Sequence, residues 1–174
     1  MLIDVSYFTS GPRQIMNATA KALPNQNQLS VNIAIMGYVR HYQLAFLCEM
    51  LGDALAVSLD TYIAEKDAAE KDDLAFEANE GYEMLMSKLR ESFADYVFFY
   101  ILRDAATQAT DRGLVVWKNE NEVVSPISRQ VSVWNEMVDR NIRFMVWAGT
   151  QSSAPYSLAV VSDNMVTHIN PFNL

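Results

Sequence analysis

The chain has 174 residues, 51% of them hydrophobic and 20% charged, which is one domain's worth of sequence with room for a core and excludes a disordered polypeptide. Its net charge of −8, with no basic cluster, excludes a groove that grips nucleic-acid phosphates. The single cysteine, Cys48, excludes an intrachain disulfide, and no apolar run approaches the length of a membrane span. The N-terminal MLIDVSYF lacks the basic region and long apolar run of a signal peptide, so a soluble protein made in a reducing compartment is expected.

Leu2 to Phe8 alternates loosely and reads as a short strand or extended arm. Thr9-Ser10-Gly11-Pro12 is turn chemistry, with Pro12 suited to open a short helix over Arg13 to Ala22. A polar linker, Pro24 to Gln28, leads to Ser30, read as the N-cap of a long helix. Ile33, Met36, Tyr38, Leu44, Leu47, Met50, Leu51, Leu55, Leu59 and Tyr62 approximate helical spacing. Gly37 and Gly52 interrupt it, and Gly52 is either a bend or close helix crossing, or a break between two helices.

Residues 65 to 92 hold nine acids against four bases, and Lys66 to Glu80 reads as a solvated helix or linker. A helix from about Asp73 to Gln108 follows. From Phe93 to Leu102 five of ten residues are aromatic and only Asp95 is charged, so this stretch must be surrounded by protein, from this chain or from other copies. Leu114 to Trp117 and Glu122 to Val124 flank Lys118-Asn119-Glu120-Asn121 and predict a small β-hairpin. Ser125-Pro126 opens a last helix, in which Val131, Trp134, Met137, Val138, Ile142 and Met145 keep helical spacing until Gly149. Residues 150–174 carry one charge, Asp163, and read either as an extended arm seeking a partner or as a hairpin lying on its own domain. The predicted fold is mainly α: a bundle of long helices with a small β-hairpin between the last two and an extended or β C-terminal arm. Residues 1–149 form the helical domain and 150–174 the arm.

No catalytic, metal or cofactor constellation emerges. His41 and His168 are far apart, no short-spaced Cys/His/Asp/Glu cluster has zinc spacing, and the acids from Asp67 to Asp73 lack the pattern of a calcium loop. No phosphate loop or nucleophile elbow is present. Cys48 lies in an apolar helical pattern and is expected to be a buried structural thiol. The residues singled out are therefore interface candidates. Trp117 is an anchor on the expected hairpin, Arg103 and Asp104 end the aromatic helix, and Tyr156, Ile169, Pro171, Phe172 and Leu174 are apolar positions in the arm.

One ordered set of short patterns resembles a known family. Ile35, Tyr38, Gln43 and Leu51-Gly52-Asp53-Ala54-Leu55 precede the aromatic helix. Thr110, Gly113 and Val115 follow, then Lys118-Asn119-Glu120-Asn121, Ser125-Pro126 with Ser128, Trp134 to Val138, and the closing Ile169-Asn170-Pro171-Phe172-Asn173-Leu174. This order is similar to the head-to-tail connector (head-completion or adaptor) proteins of tailed bacteriophages, as found in phages of gut bacteria. It spans about residues 30 to 148 and the last six. The resemblance implies a non-enzymatic structural virion protein, made in the host cytoplasm and assembled as a ring, commonly a dodecamer, at the neck between portal and tail. Such a ring extends the DNA channel without sequence-specific binding and needs no cofactor, metal or membrane. Its partners would be the portal protein and tail or further neck proteins, and it would serve genome ejection. The alternative is another phage structural component, a tail-completion or minor capsid protein. Residues 65–80 and the C-terminal tail do not match the pattern.

Overall fold

The computed structural model describes residues 1–105, 107–110, 113–116 and 126–170. Among them the chain is mainly helical, with four long helices: α1 (Gln26–Leu51), α2 (Asp53–Lys71), α3 (Glu80–Ala105) and α4 (Pro126–Gly149). α1 packs on α2 and on α3, and α3 packs on α4, so α1 and α3 form the middle of the domain.

Local chemistry sets the helix ends. α1 begins at a capping box: the Asn25 side chain accepts from the Gln28 N–H, and the Gln28 side chain accepts from the Asn25 N–H. The helix thus starts ahead of Ser30, the residue expected to cap it, and takes in most of the expected linker. Gly52 breaks it, at φ 76° and ψ 156°, a region open essentially to glycine alone, and α2 starts at the next residue. Of the two readings of Gly52, the break is the observed one.

α2 closes with Asp73 at φ 53° and the Leu74 N–H donating to the Ala69 carbonyl, the six-to-one bond of a Schellman ending. That ending stops the continuous helix expected from Asp73. α3 starts instead at Glu80, where the Asn79 side chain accepts from the Tyr82 N–H. It ends at Ala105, short of the expected Gln108, because Thr107–Thr110 pair antiparallel with Gly113–Val116, Thr107 opposite Val116. Leu114 to Val116 thus pair with residues before them, whereas the expected ladder ran forward to Glu122–Val124. The expected turn, Lys118 to Asn121, and its second strand lie outside the described residues.

The N-terminal segment is neither strand nor helix. It makes two 3-10 turns, Val5–Phe8 and Gly11–Arg13, and Asn17 at φ 67° interrupts any longer helix there. Leu2, Ile3 and Phe8 are nevertheless fully buried. The Leu2 N–H donates to Gln43 Oε1 at 2.7 Å, and Gln43 Nε2 donates to Asp60 Oδ1 at 2.7 Å. One buried amide therefore ties the N-terminus, α1 and α2 together, with both its polar ends satisfied.

The run from Ser92 to Phe99 is buried on every side, and this chain alone surrounds it. Phe46 of α1 meets Phe93 with ring centroids 5.0 Å apart, and Trp134 of α4 meets Phe99 at 4.9 Å. Each such aromatic removed from water contributes about 1.5–3 kcal/mol.

Residues 150–170 lie on their own domain, as one reading of the tail has it, but not as a hairpin. They contain no strand among the described residues; two 3-10 turns, Tyr156–Leu158 and Asp163–Val166, carry the chain back along α1 and α4. The Ser162 N–H donates to the Glu49 carbonyl at 2.8 Å, and Asn141 Nδ2 donates to the Met165 carbonyl at 2.8 Å. Met165 is buried. This part of the tail is held by its own domain, because its backbone polar groups find partners on α1 and α4.

Candidate interaction surface

At the C-terminal end of α3 a band of rings crosses the domain. Tyr42 stacks on Tyr100 at 4.2 Å, Tyr96 meets Tyr42 edge-on at 5.9 Å, and Phe99 meets Trp134. Helical spacing aligns them: Tyr38 and Tyr42 are one turn apart on α1, as are Tyr96 and Tyr100 on α3, and the two helices run antiparallel. Two of the expected interface residues close one end of the band. The Tyr38 hydroxyl donates to Asp104 Oδ2 at 3.1 Å, Arg103 Nε donates to Asp104 Oδ1 at 3.2 Å, and the Arg103 guanidinium lies 4.3 Å from the Tyr100 ring centre.

Ile169 closes the other end. Its N–H donates to Asn135 Oδ1 at 2.9 Å and its carbonyl accepts from Asn135 Nδ2 at 3.0 Å, a two-bond clamp on the backbone. Trp134 Nε1 donates to the Thr167 carbonyl at 3.0 Å. Between Trp134, Tyr96, Tyr100, Glu49, Met165 and Ile169 lies an open cleft of about 310 Å³. Burial raises the Tyr38, Tyr42 and Tyr96 phenols above the usual tyrosine range, and hydrogen bonds to Asp104 and Tyr100 add to the shift for Tyr38 and Tyr96. The Tyr38, Tyr42 and Tyr96 hydroxyls are therefore neutral at ordinary pH, and the charged groups beside the band are Arg103 and Asp104 at one rim and Glu49 in the cleft.

Tyr156 stands apart from these residues. It packs edge-on against Trp147 at 5.2 Å, twelve residues further along α4 than Asn135, or roughly 18 Å at the helical rise. Trp117, Pro171, Phe172 and Leu174 lie outside the described residues. Asn135 and Asn141 were not among the expected site residues, yet they fix the course of the tail. In the sequence each is only an amide beside a residue of the apolar stripe, Trp134 or Ile142, and the half burial of Asn135 and full burial of Asn141 come from the fold.

Below the band Asp95, 3% exposed, binds Arg13 Nη1 through Oδ1 and Arg140 Nε through Oδ2, each at 2.8 Å. Arg13 also pairs with the Glu91 carboxylate. Burial raises the Asp95 carboxyl above its ordinary range and outweighs the two guanidiniums that lower it.

Nucleophile and metal chemistry find little here. Burial pushes the half-buried Cys48 thiol up, with Asp53 adding to the shift, which reduces its thiolate. His41 packs edge-on against Tyr42 at 4.7 Å, and His168 bonds Asp139 at 2.9 Å on the surface. Among the described residues no group of three or more His, Cys, Asp or Glu is placed to hold a metal ion, and no helix is long and apolar enough to cross a membrane.

No protein-family model, curated protein or solved structure matches the chain. The functional reading therefore rests on its surfaces and on the pattern of its motifs.

Proposed function

We propose that the chain is a structural subunit of a tailed-bacteriophage virion that assembles with copies of itself into a neck ring between portal and tail. The observation that carries this reading is uncovered apolar surface on a rigid element. Leu29, Ile33 and Leu44 are 48%, 61% and 42% exposed along the outer side of α1, with Gly37 between them facing open space. Scattered exposed apolar residues are ordinary, but a row along one helix face suits a protein contact. The Tyr/Trp band and its Arg103 rim add residue types enriched at interfaces. The net charge of −8 suits a channel that lets DNA pass without holding it.

Electron microscopy of the purified protein alone and mixed with portal tests this reading. The expected result is a closed ring of about twelve copies that caps the portal. A stable monomer that leaves portal bare overturns it. Copies located at the tail tip or on the capsid shell favour the tail-completion or minor-capsid alternative.

A further inference from the structure

We infer that copies of the chain meet head to tail through two particular surfaces: the loop between α2 and α3 of one copy, and a cationic, aromatic-floored cleft between α3 and α4 of the next. The inference rests on the ring reading and assigns the surfaces that would build the ring.

The cleft has a volume of about 310 Å³, with Phe144 and Trp147 on its floor and Lys88, Arg140 and Arg143 at its edge. Lys88 Nζ lies 5.2 Å from the Trp147 ring centre. Glu91, the one acid among the lining residues, is already paired with Arg13. Arg140 is likewise paired, with buried Asp95, so Lys88 and Arg143 are the two cations at this apolar hollow that have no ion pair among the described residues.

The loop is complementary to that hollow. Leu74 is 64% exposed and is flanked in the chain by Asp72, Asp73 and Glu77, for which no ion pair exists among the described residues, with Lys71 the one cation before them. An apolar knob flanked by three carboxylates is complementary to an apolar hollow flanked by Lys88 and Arg143. The loop is also fixed at both ends, by Leu74 N–H to the Ala69 carbonyl at 2.8 Å and by Asn79 N–H to the Tyr62 hydroxyl at 3.1 Å. With both ends pinned the loop is a fixed surface feature, and a second copy is the receptor that the charge complementarity favours. Two different patches that mate in this way form a heterologous contact, which closes into a ring or runs on as a filament. Nucleic acid is the less suitable occupant, because two unpaired cations beside a small apolar hollow make no extended track for phosphates.

The test uses charge reversal on the full chain, with circular dichroism confirming that each variant folds. One variant carries Lys88→Glu and Arg143→Glu, a second carries Asp72→Lys and Glu77→Lys, and a third carries all four. Mass photometry across a concentration series reads assembly. Each two-site variant should associate ~10-fold or more weakly than the unmodified chain, and the four-site variant should recover, since the charges again oppose. If the unmodified chain assembles and the two-site variants assemble equally well, this contact is wrong while the ring reading stands. If the unmodified chain stays monomeric at every concentration, both are overturned. Retention of double-stranded DNA that is lost in the Lys88→Glu, Arg143→Glu variant, with assembly unchanged, assigns the cleft to nucleic acid and overturns the contact.

Discussion

Arg140 of α4 donates from Nε to Oδ2 of Asp95 on α3 at 2.8 Å, inside the most apolar stretch of the chain. Arg13 reaches the other carboxylate oxygen from 82 residues away, so one buried charge joins the N-terminal segment to two helices. Asp95→Ala would leave both guanidiniums beside an uncompensated hollow. Removing one partner of a buried pair costs about 3–5 kcal/mol. Because Arg140 is 37% exposed and Arg13 keeps Glu91, the lower end is expected here. Urea denaturation followed by circular dichroism measures it, and a loss below roughly 1 kcal/mol, the range of an exposed pair, would contradict the account.

Two glycines should respond in opposite directions. Gly52→Ala places a side chain at φ 76°, with a cost of about 1–3 kcal/mol from the backbone, since the added Cβ meets Val160 only at an ordinary 3.7 Å. Gly37→Ala lies within α1 with open space around it and should stabilise by about 0.8–1 kcal/mol. Thermal melts of the two variants beside the parent chain separate these effects.

Glu83 accepts hydrogen bonds from Lys66 and from the Tyr62 hydroxyl, the latter at 2.8 Å. Its carboxyl is held below the ordinary range, chiefly by Lys66 and then by Tyr62 against the opposing effect of burial. A carboxyl depressed on folding contributes stability that is present above its unfolded pKa and is lost as pH falls through its folded one. Stability measured as pH drops from neutral to below the usual carboxylate range should therefore fall less steeply in Glu83→Gln than in the parent. Identical slopes would remove Glu83 from the acid response.

Truncation after Gly149 should destabilise the monomer. It removes buried Met165, worth about 2–5 kcal/mol as a core side chain, and leaves Asn141 without its carbonyl partner. Asn141→Ala in the full chain should reproduce about 1–3 kcal/mol of that loss. A truncated chain that melts at the parent temperature would mean that the tail adds nothing to its own domain.

The residues outside the helices show where sequence reading stops. The capping box at Asn25 and Gln28 is a local pattern and was available in the sequence, but Ser30 offered a competing cap closer to the apolar stripe. The end of α2 turned on Asp73 taking a positive φ, which aspartate tolerates without announcing it. The tail's uncharged composition suited a partner's groove as well as its own domain, and amides on α4 decided between them.

Local sequence by itself determined that the chain is mainly helical, that α4 ends at Gly149, and that the stretch around Asp95 is surrounded by protein, because these follow from side-chain spacing, a helix-ending glycine and apolar composition along one segment. Only the tertiary structure decided what surrounds that stretch. Arg13, Arg140, Phe46 and Trp134 converge on it from distant positions, and long-range burial leaves no local signal of which partner satisfies a buried charge or covers an apolar ring.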